Sequence, residues 1–452
     1  MFTRNIIKEL NKWSLKEGRK PLILRGARQV GKTSVIHQFS AQFDDFVYLN
    51  LERQELQTYF KEYSTTENLV QQLFLHQQKS WNRNSKNLLF IDEIQECPEA
   101  IALLRYLYED AKELHVIAAG SLLDMAYAKE KSFPVGRVEF MVLHPVSFDE
   151  FLLATGELQA YELFQKIPIP EYGHQKLLNL FHQYTLIGGM PEVVAHYVEN
   201  KNITSLPNIY ESLIQAYVDD VEKYASSDAQ LKQIRHAMLA IFNEAGKRIK
   251  FEQFGKSNYG SREMGEALRI IEKTYLTRLI YPATQTQLPA QPDLRKSPRL
   301  QILDTGMLNY FTGIQRHLIG IKNLQNEFRG LILEHITGQE ILAQTHLPLS
   351  RLHFWVRDKK TSMAEVDYVL PYNGQLIPVE VKAGAEGKLR SLHSFIDASP
   401  INFGIRLNAN KLQLSKAKTI AGKEFTLLNL PYYCAGKLEG YIEKYFGDNL
   451  HL

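Results

Sequence analysis

Leu22-Ile23-Leu24, followed by Gly26-Ala27-Arg28-Gln29-Val30-Gly31-Lys32-Thr33, decides how the amino-terminal part of this chain folds. The first three residues form an apolar run that predicts a buried strand, and the octapeptide fits the phosphate-binding loop pattern without a mismatch. Gly26 and Gly31 let the backbone of Ala27, Arg28, Gln29 and Val30 curl so that its N–H groups face phosphate oxygens. Lys32 brings a cation to the outer phosphates, and Thr33 offers a hydroxyl to Mg²⁺. A helix beginning at Lys32 points its positive end at the same anion. These residues predict binding of ATP or GTP.

Farther along, Leu88-Leu89-Phe90-Ile91-Asp92-Glu93 predicts a second buried strand ending in two carboxylates. Phosphoryl transfer needs such a pair at the carboxyl edge of a parallel sheet: Asp92 to hold Mg²⁺ and Glu93 to polarise the attacking water. Phe46-Val47-Tyr48-Leu49-Asn50-Leu51 and His115-Val116-Ile117-Ala118-Ala119-Gly120 supply further strands with helical stretches between them. The pattern is a parallel α/β sheet.

These landmarks resemble the additional-strand, catalytic-glutamate branch of P-loop ATPases, to which AAA-type ATPases belong. The resemblance implies a polar sensor for the γ-phosphate at the end of the fourth strand, where Ser121 stands; a helix N-cap hydroxyl is the other reading. It also implies that Arg137 stabilises transition-state charge in cis or in a neighbouring subunit, which leaves a homo-oligomer open; a plain surface arginine competes with that role.

At 452 residues the chain is too long for one core. Its 53 Lys and Arg nearly balance 50 Asp and Glu, for a net charge of +3, so any nucleic-acid surface must be local. Cys97 and Cys434 are too few for a disulfide framework or a zinc site and fit a reducing compartment. No uncharged apolar run reaches membrane-spanning length. The expectation is a soluble, cytoplasmic protein without membrane contact.

Ser147-Phe148-Asp149-Glu150 has the form of a capping box and opens a helical subdomain. Within it, Gly188-Gly189-Met190-Pro191-Glu192 forces a turn; by resemblance Gly189-Met190-Pro191 sits near adenine, and a simple helix break is the alternative. From Lys232 to Pro282, three short apolar-periodic helices followed by Leu276-Thr277-Arg278-Leu279-Ile280 suggest a winged helix-turn-helix. Its last helix mixes Arg262, Arg269 and Lys273 with Glu263, Glu266 and Glu272, so a DNA-binding face and a spacer both remain open.

The carboxyl-terminal third reads as strands. Leu352–Arg357, Glu365–Leu370 and Leu376–Lys382 are joined by turn residues, and period two puts Glu380 and Lys382 on one face. Asp367, on the adjoining strand, can come beside Glu380, giving two hard oxygen ligands for Mg²⁺ and a lysine to orient or deprotonate water. This Asp…Glu-x-Lys pattern resembles restriction-endonuclease-like nucleases. That resemblance implies a further acid from a preceding helix, which Glu334 fits.

The whole chain resembles a prokaryotic family in which an AAA-type ATPase is joined to a carboxyl-terminal domain of unknown function. The landmarks are the glycine loop, Phe90-Ile91-Asp92-Glu93-Ile94-Gln95, Gly188–Glu192, Leu303-Asp304-Thr305-Gly306 and Glu365-Val366-Asp367…Glu380-Val381-Lys382. Asp304 reads as an N-cap. The expected organisation is an α/β P-loop AAA-type ATPase core at 1–146, a helical lid at 147–230, a winged-helix-like segment at 231–285 and an α/β restriction-endonuclease-like domain at 286–452. The cofactors expected are ATP and Mg²⁺. Metal-ligand candidates are Thr33 and Asp92 in the first site and Glu334, Asp367 and Glu380 in the second; catalytic candidates are Glu93, Asp367, Glu380 and Lys382. Three functions follow: an ATPase that positions or gates a metal-dependent nuclease acting on nucleic acid, with DNA a candidate partner and the nucleic-acid type open, an ATP-switched binding or regulatory protein with an inactive nuclease-like domain, and a signalling ATPase that senses a protein or metabolite.

Overall fold

Five short runs, each rich in residues that pack on a pleated surface, assemble side by side into one all-parallel sheet in the order β2-β3-β4-β1-β5. They are β1 (Leu22–Arg25), β2 (Asp45–Asn50), β3 (Asn87–Asp92), β4 (His115–Ala119) and β5 (Glu139–Val142). Every residue of β3 and β4 is buried, as a sheet covered on both faces requires. Helices α1 (Ile6–Ser14), α2 (Lys32–Ser40), α3 (Gln54–Lys61), α4 (Thr66–His76) and α5 (Pro98–Asp110) accompany the strands. Phe60 of α3, Leu73 of α4 and Leu104 of α5 join Val47, Leu89 and Ile91 in one apolar cluster. The β4 strand lies between β1 and β3, so the glycine loop and the acidic strand tip emerge two strands apart at the same carboxyl edge.

The computed structural model describes residues 2–120, 134–315, 329–358, 364–383 and 389–447. The chain divides into one unit of Met1–His144 with His346–Leu349 and a second of Pro145–Thr345 with Ser350–Leu452.

In the second unit, α6 (Phe148–Ala154), α7 (Leu158–Gln165), α8 (His174–Ile187), α9 (Pro191–Asn200) and α10 (Pro207–Glu222) come first. Glu150 accepts the Ser147 backbone N–H at 3.0 Å, and so fixes the start of α6. Then α11 (Asp228–Ala240) packs on α12 (Ser261–Lys273), and β6 (Thr277–Ile280) follows. β6 pairs antiparallel with β8 (Arg299–Ile302), so this strand pair straddles the boundary expected at residue 285. β7 (Pro282–Ala283) pairs instead with β9 (Phe354–Val356).

Asp304 caps α13 (Thr305–Phe311), accepting the Met307 N–H at 2.9 Å. A longer helix, α14 (Arg329–Ala343), leads to the carboxyl-terminal strands β10 (Glu365–Val366), β11 (Tyr368–Tyr372) and β12 (Gln375–Val381). They are followed by α15 (Arg390–Ala398), β13 (Phe403–Asn408), β14 (Gln413–Lys418), β15 (Glu424–Pro431) and α16 (Leu438–Phe446). The sheet β11-β12-β13-β15-β14 is mixed: β12, β13 and β15 run parallel, and each edge strand is antiparallel to its neighbour. Among the described residues no helix is long and apolar enough to cross a membrane.

Candidate functional site

The loop between β1 and α2 carries positive φ at Gly26 (146°), Gln29 (61°) and Gly31 (92°). This backbone curl leaves Lys32 as the first residue of α2, buried at 6% exposure. Its ammonium group donates to the loop's own carbonyls, Gly26 at 3.1 Å and Ala27 at 2.9 Å. One turn of backbone thus holds a cation where the outer phosphates of a nucleotide would lie.

Across β4, Asp92 is buried at the tip of β3, and the Thr33 hydroxyl donates to its Oδ2 at 2.6 Å. The Tyr48 hydroxyl donates to the same oxygen at 3.4 Å. Burial, reinforced by the Asp92 charge, pushes that phenol up to about 12. Glu93 has a left-handed backbone (φ 49°), donates its N–H to Asp92 Oδ1 at 3.1 Å and accepts from Gln95 Nε2 at 2.6 Å on its side chain. Burial raises the Glu93 pKa, and the Gln95 hydrogen bond and the Lys32 charge oppose that rise. A hydroxyl and a carboxylate in direct contact beside a buried lysine are the donor set that a magnesium–triphosphate complex needs. Tyr48 escapes a reading by motif, because only strand pairing brings it to the site, whereas Gln95 stands within a sequence landmark and takes its role from the turn after β3.

Arg137 is not brought there. Glu139 of β5 pairs with Leu22, the first residue of β1, so Arg137 lies toward the amino edge of the sheet, away from the glycine loop at the carboxyl edge. Its Nε donates to Glu109 Oε1 at 3.0 Å. Action on phosphate within its own chain is therefore corrected to a surface ion pair, and only a role toward another subunit is left from the original expectation. Ser121 lies outside the described residues.

In the second unit, Gly188 ends α8 at φ 75° and Pro191 begins α9, so the glycine-proline stretch is a helix break. It is also a junction. The Gly189 N–H donates to Asp304 Oδ2 at 2.5 Å, and a methyl group on Gly188 would collide with the same carboxylate.

The carboxyl-terminal candidates do meet. Tyr368 pairs with Val379, which sets Asp367 opposite Glu380, and Asp367 Oδ2 accepts the Val381 N–H at 2.8 Å. Lys382 Nζ is 2.5 Å from Glu380 Oε1. Glu334 approaches from α14, and the group that ties it to Asp367 is Arg299 on β8. Nothing in the sequence pattern marks this arginine, because an isolated Arg on a short strand carries no motif. Its Nε donates to Glu365 Oε1 at 2.7 Å, and its terminal nitrogens lie 3.4 Å from Asp367 Oδ1 and 3.7 Å from Glu334 Oε2.

Burial and the neighbouring Asp367 charge push Glu334 up to about 8 and Glu380 up to about 7, against the pull of Arg299 and Lys382. Burial alone would depress the Arg299 guanidinium, but Glu365, Glu334 and Asp367 reverse that and hold it charged. One Glu380 oxygen, Oε2, is buried without a hydrogen-bond partner. Among the described residues no group of three or more Asp, Glu, His or Cys converges closely enough to hold a metal ion. Of the expected set, Glu334 and Asp367 are thus assembled around a guanidinium while Glu380 pairs with Lys382, and the set does not fit a metal as it stands.

Residues 18–152 match a family model described as an AAA domain. Residues 178–318 and 329–433 match two domains of unknown function, DUF8612 and DUF4143. No curated protein matches the chain. Among solved structures, a Walker-type ATPase of Pyrococcus abyssi is similar at 16% identity, covering 69% of this chain and 96% of its own, with a TM-score of 0.44. The Orc1 protein of Aeropyrum pernix, solved in complex with DNA, is 10% identical over 70% of this chain and 95% of its own, with a TM-score of 0.29. The RuvB Holliday junction branch migration motor of Thermotoga maritima is 13% identical over 62% and 90%, with a TM-score of 0.27. The amino-terminal part of this chain is an AAA-type P-loop ATPase domain, of a class that binds and hydrolyses ATP, usually with Mg²⁺.

Proposed function

We propose that this chain hydrolyses ATP at the Gly26–Thr33 loop and couples its nucleotide state to a nuclease-like carboxyl-terminal domain that works on DNA. The observation that carries the ATPase half is the 2.6 Å contact between Thr33 and Asp92 beside buried Lys32. In this reading the loop backbone and Lys32 bind the phosphates, Thr33 and Asp92 hold Mg²⁺, and Glu93 takes a proton from the attacking water while Gln95 orients its carboxylate. Bound Mg²⁺ supplies neutralisation of charge on the transferring phosphoryl group. Glu93→Gln should keep ATP binding and lose roughly 10² to 10⁴ in turnover, the usual scale for a general base. Unchanged turnover in a single-turnover assay would remove Glu93 from that role.

The carboxyl-terminal half of the proposal is supported by the juxtaposition of Asp367, Glu380 and Lys382, with Glu334 nearby. The lid (147–230), the winged-helix-like segment (231–285) and a homo-oligomeric assembly belong to the same proposal. A second reading, an ATP-switched DNA-binding or regulatory protein with an inactive nuclease-like domain, is favoured by one observation: Arg299 stands among the acids. Cleavage of supercoiled and linear DNA with Mg²⁺ or Mn²⁺ separates the two. Cutting that disappears in Asp367→Ala and Lys382→Ala supports the enzyme; no cutting by the wild type supports the switch.

A further inference from the structure

Arg299 does not belong to the elements that carry the acids it pairs with. Glu334 lies on α14, Glu365 on β10, Asp367 between β10 and β11, and Glu380 on β12, whereas Arg299 is delivered by the β6/β8 strand pair. Its guanidinium lies over the Phe354 ring at 4.7 Å, and its donors reach Glu365, the carboxylate and carbonyl of Asp367, and Glu334. A planar fork of five N–H groups matches such a spread of oxygens.

A hard divalent ion asks for a different arrangement. Mg²⁺ needs oxygens at about 2.1 Å, whereas a guanidinium holds them at hydrogen-bond distance or beyond. The same carboxylates cannot satisfy both at once. Charge and burial point to what they would accept if Arg299 left. Glu334, Glu365, Asp367 and Glu380 face Arg299, Lys382 and, at 3.6 Å from Glu365, Arg248, so withdrawal of Arg299 would leave four carboxyl groups facing two cations. Glu380, 3% exposed, keeps an oxygen without a partner.

We infer that Arg299 is a latch: an internal cation that binds Glu334, Glu365 and Asp367 in place of a divalent ion and keeps metal out until movement of the β6/β8 strand pair withdraws it. The inference rests on the nuclease-like reading of this cluster, but it makes a claim about metal access that needs no cleavage of DNA to test. Among the described residues, the strand pair also takes in Arg248, which bridges to Arg299, so the latch is seated from both sides of β8.

Iron(II) bound at a magnesium site cuts nearby backbone in the presence of ascorbate and peroxide, and the fragments can be mapped by mass spectrometry. The full-length chain with ADP should give fragments near Thr33 and Asp92, which shows that iron is loaded. The wild type should give none near Glu334, Asp367 and Glu380, whereas Arg299→Gln and Arg299→Met should give fragments at all three places. Adding Glu380→Gln to Arg299→Gln should remove them. Fragments around those acids in the wild type overturn the latch, whether or not the variants fold. So does their absence from both variants when circular dichroism shows native helix content. A plasmid assay on the same proteins keeps the two ideas apart: new fragments without nicking sink the nuclease reading and leave the latch standing.

Discussion

Gly26 sits at φ 146° with no room beside it: a methyl group there would lie 2.5 Å from the Leu143 carbonyl oxygen and 3.3 Å from Val30. Backbone strain of this kind costs about 1–3 kcal/mol before the collision is added. Gly26→Ala should therefore distort the cradle and lose Mg²⁺-dependent ATP binding by calorimetry, while far-ultraviolet circular dichroism stays native because the change is local. Wild-type affinity in that variant would mean the curl is not what binds phosphate. This glycine is readable from sequence because its purpose is spelled within eight contiguous residues, next to a strand and a helix that confirm each other. Arg299 is the contrary case. Its importance is made by pairing across strands and by packing over Phe354, and a single-sequence reading has no access to either.

Helix α14 has two tasks along its length. Glu334 faces the acidic cluster, while His335, Gln339 and Glu340 are built into a buried polar network with the start of α13 and with α8. His335 Nε2 accepts the Ile302 N–H at 3.0 Å, so its proton is on Nδ1 and points at Thr305 Oγ1, 2.8 Å away; burial holds the ring neutral, with its pKa pushed down to about 3. Glu340 is close to Tyr184, 2.7 Å from its hydroxyl, and receives the Phe148 N–H at 3.1 Å.

Burial raises the Glu340 carboxyl from 4.5 to about 8, opposed by the Tyr184 hydrogen bond. The native state then holds a proton that the unfolded chain has already released. The associated stability is complete below the unfolded pKa and is lost as pH rises through about 8. Glu340→Gln fixes a neutral group in that place. Its melting temperature should fall less than that of the wild type between about pH 5 and pH 9, with some slope left from the other buried carboxyls. Parallel curves would show that Glu340 is ionised in the fold. The sequence pattern marks this helix only as the source of one acid, Glu334. Its second role is hidden because the partners, Asp304, Thr305, Tyr184 and Phe148, are distant in sequence and carry no motif that points to this helix.

At the scale of the whole molecule the question is whether the ATPase and the acidic cluster communicate, and the two elements that would report it are β6 and β8. If nucleotide state drives withdrawal of Arg299, the β6/β8 amides must open more often when ATP is bound. In a Glu93→Gln background, where ATP persists, Mg²⁺-ATP should speed hydrogen exchange at Thr277–Ile280 and Arg299–Ile302 and slow it in the Gly26–Thr33 loop. Ligand linkage predicts only the second effect for a protein whose parts act independently, because a ligand protects what it touches and leaves distant opening equilibria alone. Faster exchange in the strand pair is therefore the signature of coupling as distinct from binding. Protection of the glycine loop with no change at β6 and β8 would leave the ATPase intact as an assignment and discard the gate.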